Sequence, residues 1–193
     1  MCSSNRVETK SYHFIYVKEI ITMKKVFALM MSAALALTVL AGCGGSGSQA
    51  AKTPEEMSQI YAQAITENGG EPVQYNPVIS EAKEEDGSAM MLEMMGLKTE
   101  DMSAFGISAS MMNVQAYGIA AVLPAEGKAE AVTEALQGYI DLQKMNFEFY
   151  LADQFEVANN ARLETLEDGT VLMVMCADSD KVFDAISAAI LKG

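Results

Sequence analysis

The chain has 193 residues, half of them hydrophobic, and a formal net charge of −13. Such an acidic chain repels nucleic acid and anionic lipid headgroups, so no nucleic-acid partner is expected. The only histidine is His13, which excludes a Ser-His-Asp triad and histidine-ligated zinc from the rest of the chain. We expect no cofactor.

A secretory leader begins at Met23 rather than at Met1. Two lysines follow Met23 and precede residues 26–40, an apolar run without charge. A positive start, a short apolar run and small exit residues are the three parts of a secretory signal, and a membrane span would need about 20 apolar residues. We therefore predict that residues 1–22 are a mis-assigned extension, with a long cytoplasmic n-region as the alternative, and that residues 23–42 are the signal peptide.

The leader ends in Leu40-Ala41-Gly42-Cys43, which resembles the lipobox of bacterial lipoproteins. The resemblance implies that the Cys43 sulfur receives a diacylglyceryl group and becomes the new N-terminus. We predict a lipid-anchored protein on the extracytoplasmic face of the cell membrane, where two acyl chains suffice for stable anchoring. Residues 43–193 carry eight basic and 24 acidic residues, a charge of −16. The lipid, and not a basic patch, would therefore hold the protein at the membrane.

Residues 43–52 are small and polar, and they predict a flexible tether before a single acidic domain at residues 53–193. Thr53-Pro54-Glu55-Glu56 is typical of a helix start with a capping box, and glycines after Asn68 end that helix. The remaining predictions, in chain order, are an irregular segment at 71–87, a short helix at 88–95, a turn at 99–101, a buried strand at 111–123, the longest helix at 127–150, a connection at 151–160, a half-exposed strand at 162–167, a two-residue hairpin at Asp168-Gly169, a buried strand at 170–176, and a final helix capped by Asp178 or Ser179.

These elements predict an α+β fold. The economical arrangement is a small, mostly antiparallel sheet of about three strands, with helices packed on one face. The order of elements, together with Gln154, Asn160-Ala161 and the hairpin centred on Gly169, resembles a family of Gram-positive, clostridial-type lipoproteins that carry a domain of unknown function. The resemblance covers residues 50–192. It implies the anatomy of the protein and no particular activity.

The methionine-rich stretch is the most unusual feature of the domain. Met90, Met91, Met94 and Met95 have i, i+4 spacing on the predicted helix, and thioethers are soft ligands suited to Cu(I). Methionine is also a flexible filler of cores and adaptable binding surfaces, and core packing is the preferred interpretation.

Three further sets of residues are candidates for metal binding or catalysis. The acidic run at 84–88 offers oxygen ligands to Ca²⁺, but a solvated loop is favoured because its spacing does not match an EF-hand. Glu148, Asp153 and Glu156 lie among aromatic residues and could supply a general acid and base, although these aromatics are expected to pack the helix on the sheet. Cys176 ends an apolar strand and is expected to be buried and inert.

The leading functional hypothesis is a non-catalytic binding or accessory module with an unknown protein or small-molecule partner. The alternative is a carboxylate-dependent hydrolase that acts on glycans or cell wall. A lesser alternative is Cu(I) binding at the methionine cluster.

Overall fold

The computed structural model describes residues 52–83 and 87–193. The predicted extension at 1–22, the signal peptide at 23–42 and residues 43–51 of the tether lie outside the described residues. Within the described residues the helices are α1 (Pro54–Asn68), α2 (Ser88–Met94), α3 (Ala129–Phe147), α4 (Ala152–Asn159) and α5 (Ser179–Lys192). The strands are β1 (Met102–Ala109), β2 (Gly118–Pro124), β3 (Arg162–Thr165) and β4 (Val171–Met175). Glu71–Gln74 and Thr99–Asp101 form short 3₁₀ helices.

Helix α1 begins at the predicted capping box. Glu56 N–H donates to Thr53 Oγ1 at 3.2 Å, and Thr53 N–H donates to Glu56 Oε2 at 2.8 Å. Each side chain thereby satisfies a backbone donor that the first helical turn leaves without a partner. The helix ends at Asn68, as the following glycines predict.

The strands form one antiparallel sheet in the order β1-β2-β4-β3. The prediction of an α+β fold with an antiparallel sheet is confirmed, and the sheet has four strands instead of about three. Strand β1 was not predicted because its sequence, MSAFGISA, has small and polar residues and a central glycine that disfavours strands. Gly106 allows α1 to pack against β1, since an added Cβ would lie 2.7 Å from Tyr61 Cβ.

Helices cover both faces of the sheet, so the prediction of helices on one face is wrong. One face packs against α2, α3 and α4, and the other packs against α1 and α5. Alternate residues of β4 belong to opposite cores: Met173 faces the first and Val174 the second. A strand buried on both faces has an uninterrupted apolar sequence, which β4 (VLMVM) shows.

Three predicted boundaries also need correction. Residues 111–117 form a loop, and the strand predicted at 111–123 begins at Gly118. The long helix ends at Phe147, three residues before its predicted end. The predicted connection at 151–160 contains α4, a short helix with one fully buried residue, Ala158, and therefore little apolar periodicity.

The hairpin between β3 and β4 lies where the Asp168-Gly169 pair predicts it, but its loop has three residues. Leu166 N–H donates to Thr170 O at 2.7 Å, which leaves Glu167, Asp168 and Gly169 in the loop. Gly169 has φ +87°, the left-handed conformation that a three-residue hairpin loop places at its last position. Thr170 continues into the core, where its hydroxyl lies 2.7 Å from Tyr61 Oη on α1.

Candidate functional site

Two irregular segments lie at the same end of the sheet. The loop 110–117 joins the end of β1 to the start of β2, where Ala109 pairs with Gly118 and Gly118 pairs with Met175. The turn 148–151 joins α3 to α4, which leads into β3 at this same end, since Arg162 pairs with Val174. A hydrogen bond of 2.8 Å from Ala116 N–H to Gln154 Oε1 connects the loop to α4.

Both segments and the last turn of α3 expose large apolar side chains, and we call this set the apolar end. Its members and their exposed fractions are Met111 (50%), Met112 (60%), Val114 (49%), Met145 (72%), Phe149 (92%) and Tyr150 (70%). Three methionines and two aromatic rings are present among these six residues. Such side chains are enriched in the centres of protein interfaces and adapt to partners of different shape.

The backbone of the loop 110–117 is held by hydrogen bonds on several sides. Ser110 N–H donates to Tyr117 O at 3.1 Å and closes the loop, while Met112 N–H donates to Ser110 Oγ at 3.2 Å. Together with the bond from Ala116 to Gln154, these contacts fix the residues that flank Met111, Met112 and Val114. The exposure of the three apolar side chains therefore follows from an ordered backbone.

The turn 148–151 is held in a similar way. Tyr150 N–H and Leu151 N–H both donate to Phe147 O at 3.1 Å, which tightens the chain after the last turn of α3. The Phe147 ring is buried in the core beneath the turn, while Phe149 and Tyr150 project into solvent. The expectation that the aromatics of this region pack the helix on the sheet thus holds for Phe147 and for the partly buried Phe155, and is wrong for Phe149 and Tyr150.

A series of buried hydrogen bonds holds the end of the loop 110–117. Ser108 Oγ donates to Asn76 O at 2.6 Å, so the Tyr117 hydroxyl, 2.9 Å away, donates to Ser108 Oγ. Burial raises the pKa of Tyr117 to about 12, with the Ser108 hydrogen bond acting in the opposite direction. These two hydrogen bonds connect Tyr117, at the end of the loop, to Ser108 on β1 and to Asn76 in the segment after α1.

Exposed carboxylates border the apolar end. Residues 141–160 contain four acidic residues and one basic residue, and Glu148, Asp153 and Glu156 are all exposed. Gln154 Nε2 donates to Asp153 Oδ2 at 2.9 Å, which lowers the pKa of Asp153. The loop 110–117 itself carries no charge. The surface therefore consists of an uncharged apolar centre with an acidic rim.

The methionine cluster is divided between surface and core. Met91 and Met95 are buried against the sheet, Met94 is partly buried, and Met90 is 61% exposed. A Cu(I) ion arriving from solvent would meet Met90 and Met94, but not the two buried thioethers. Cu(I) binding by all four methionines remains a prediction without support from this arrangement.

The remaining candidate residues have different outcomes. Cys176 is 6% exposed and burial raises the pKa of its thiol, which confirms the expectation of a buried cysteine. The lipobox residues, Leu40, Ala41, Gly42 and Cys43, lie outside the described residues, as do Glu84, Glu85 and Asp86 of the acidic run. The apolar end was not predicted as a site, although the methionines and aromatics that form it are visible in the sequence.

The described residues meet few of the requirements of small-molecule, metal and membrane-spanning sites. A cleft of about 330 Å³ lies beside Leu92 and Leu97, at the lower limit of the volumes of small-molecule pockets. Within residues 52–83 and 87–193, no three histidine, cysteine, aspartate or glutamate side chains are grouped closely enough to hold a metal ion. No helix in this part of the chain combines the length and the hydropathy needed to cross a bilayer.

Comparison with known proteins identifies one family. No curated protein and no solved structure matches the chain significantly. The family described as Domain of unknown function (DUF4358) matches residues 78–176, from the segment before α2 to the end of β4. The match includes the loop 110–117, the turn 148–151 and Gln154, and it confirms the prediction of a domain of unknown function. Because the match spans more than half of the 193 residues, the chain belongs to the DUF4358 family.

Proposed function

We propose that this protein is a membrane-anchored extracytoplasmic lipoprotein whose domain is a non-catalytic binding module. The apolar end is the surface that contacts a protein partner. The observation that carries the proposal is that six large, exposed apolar side chains lie at one end of the sheet, five on two hydrogen-bonded segments and Met145 on the last turn of α3.

The grouping matters more than the exposure of any single residue. Isolated apolar side chains are normal on protein surfaces, whereas a contiguous apolar patch with a polar rim marks interaction sites. Phe149 is 92% exposed and Met145 is 72% exposed, so the folded domain leaves most of the surface of both side chains in water. Their removal from water by a partner would supply the apolar contribution to binding.

The chain enters the described domain at the end of the sheet opposite to the apolar end. Helix α1 follows Lys52, and near its start Ser58 Oγ accepts a hydrogen bond from Phe105 N–H, toward the beginning of β1. At its other end, Gly69 lies against Ile119 at the beginning of β2. The chain thus enters the domain at one end of the sheet, and the apolar end is roughly 25 Å away, the length of a strand of eight residues.

Site-specific photocrosslinking in native membranes tests this proposal. A photoreactive phenylalanine at position 149 is compared with one at Leu191, an exposed apolar residue near the opposite end of the domain. We expect a reproducible crosslinked protein from position 149 only, and its loss when Met112→Ser and Tyr150→Ser are added. Equal products from both positions, or none from position 149, would contradict the proposal.

A further inference from the structure

We propose that the partner of the apolar end presents a basic rim around an apolar centre. This inference rests on the proposed function and specifies the chemistry of the partner. It follows from the contrast between the uncharged loop 110–117 and the acidic residues that surround the turn 148–151.

The rim of the apolar end has few positive charges to offset its carboxylates. Lys144 is the one basic residue between positions 141 and 160, where four acidic residues lie. Arg162, at the start of β3, is engaged by Glu164 and Asp184, at 2.6 and 2.8 Å from its guanidinium nitrogens. Glu148 and Glu156 are therefore available to lysine or arginine residues of a partner. Complementary rim charges accelerate association and exclude partners of the wrong sign.

The acidic rim also disfavours two other possible binding partners of the apolar end, a second copy of the chain and an anionic bilayer. A second copy of the chain would bring an identical acidic rim, and each copy carries a charge of −16 from Cys43 onward. A bilayer surface with anionic headgroups would likewise repel Glu148, Asp153 and Glu156. A protein surface with lysine and arginine around apolar residues satisfies both the centre and the rim.

Methionine methyl groups allow a direct test, because they are distributed over distinct parts of the domain. Met111, Met112 and Met145 report on the apolar end, while Met57 and Met173 are buried elsewhere. The full chain, labelled at its methionine methyls, is held in zwitterionic nanodiscs and titrated with two amphipathic peptides of equal length. One alternates leucine with lysine, and the other alternates leucine with glutamate.

We expect the lysine peptide to shift the signals of Met111, Met112 and Met145, and the glutamate peptide to leave them unchanged. Phe149→Ser with Tyr150→Ser should weaken binding by about tenfold or more, as for central interface residues. Glu148→Gln with Glu156→Gln should weaken it by a smaller factor and reduce its dependence on salt. The control pair, Glu126→Gln with Glu130→Gln, removes the same charge near the opposite end of the domain and should have little effect.

Each of the following results would overturn the inference. The first is equal binding of both peptides, and the second is binding that survives Phe149→Ser with Tyr150→Ser. The third is quenching of the three methyl signals by a paramagnetic lipid headgroup, which would indicate a bilayer. The fourth is a change of these signals on dilution, which would indicate a second copy. A crosslinked partner at position 149 without binding of the lysine peptide would refute the basic rim and leave the proposed function intact.

Discussion

Replacement of Gln154 by alanine should loosen the loop that carries half of the apolar end. Ala116 is 2% exposed, and its N–H donates to Gln154 Oε1 at 2.8 Å. Gln154→Ala removes the acceptor and leaves a buried backbone donor without a partner. Such a loss costs about 1–3 kcal/mol, and we expect the lower part of this range, about 1–2 kcal/mol, because Gln154 is itself partly exposed and water can enter.

Two further substitutions separate the acceptor from the rest of the side chain. Gln154→Glu keeps an oxygen that can accept from Ala116, but it places a second carboxylate beside Asp153 and removes the donor to it. We expect a loss smaller than that of the alanine variant. Asp153→Asn leaves the bond to Ala116 in place and should change the free energy of unfolding by no more than about 0.5 kcal/mol, as for other surface substitutions.

Amide hydrogen exchange measures the local effect at Ala116, and chemical denaturation measures the effect on the free energy of unfolding of the whole domain. A loss of about 1–2 kcal/mol should accelerate exchange of the Ala116 amide by about 5-fold to 30-fold, given a tenfold change per 1.4 kcal/mol. The chain has no tryptophan, so denaturation is followed by far-UV circular dichroism. If the Ala116 amide exchanges at the wild-type rate in Gln154→Ala, the bond does not hold the loop and the reasoning fails.

Three other predictions follow. Gly106→Ala should lower the free energy of unfolding by about 1–3 kcal/mol, because its Cβ would lie 2.7 Å from Tyr61 Cβ. Its control, Gly138→Ala, places a Cβ in open space at an exposed position of α3 and should raise the free energy of unfolding by about 0.5–1 kcal/mol, and urea denaturation measures both. Burial raises the pKa of Tyr139 from its ordinary 10 to about 12. Because this tyrosine ionises first in the unfolded chain, its contribution to stability is complete below pH 10 and is lost as pH rises toward 12. Tyr139→Phe should therefore reduce the fall of the free energy of unfolding between pH 10 and 12 in denaturation curves, and an unchanged fall would contradict the prediction. Cys43→Ser should abolish incorporation of a fatty-acid analogue and release the protein from the membrane; retention of label would refute lipidation at Cys43.

Short sequence patterns predict much of the local structure of this protein. The capping box of Thr53 and Glu56 starts α1, and the Asp168-Gly169 pair places the hairpin, because both depend on contacts between residues three or four apart. The apolar run of β4 likewise predicts its strand. An uninterrupted apolar run also indicates a strand that is buried on both faces, and the prediction of helices on one face did not take this into account.

Strand β1 could not be predicted from its own residues. Its glycine and serines disfavour a strand in isolation, and distant contacts satisfy them in the fold: Gly106 admits α1, and the Ser108 hydroxyl contacts Asn76 O and the Tyr117 hydroxyl. These partners lie far from β1 in sequence, except for Tyr117. Their effect therefore exists only once the sheet and α1 have packed together.

The sequence by itself determined the acidic charge, the α+β class and most helices and strands, because these depend on composition and local spacing. Only the tertiary structure decided which apolar residues near the end of α3 are buried. Phe147 and Phe149 are two positions apart and equally apolar, yet one is 1% exposed and the other 92%. The difference arises at the turn after α3, where Tyr150 N–H and Leu151 N–H donate to Phe147 O, and no local sequence pattern encodes it. The surface on which the proposed function rests is therefore a property of the packed domain.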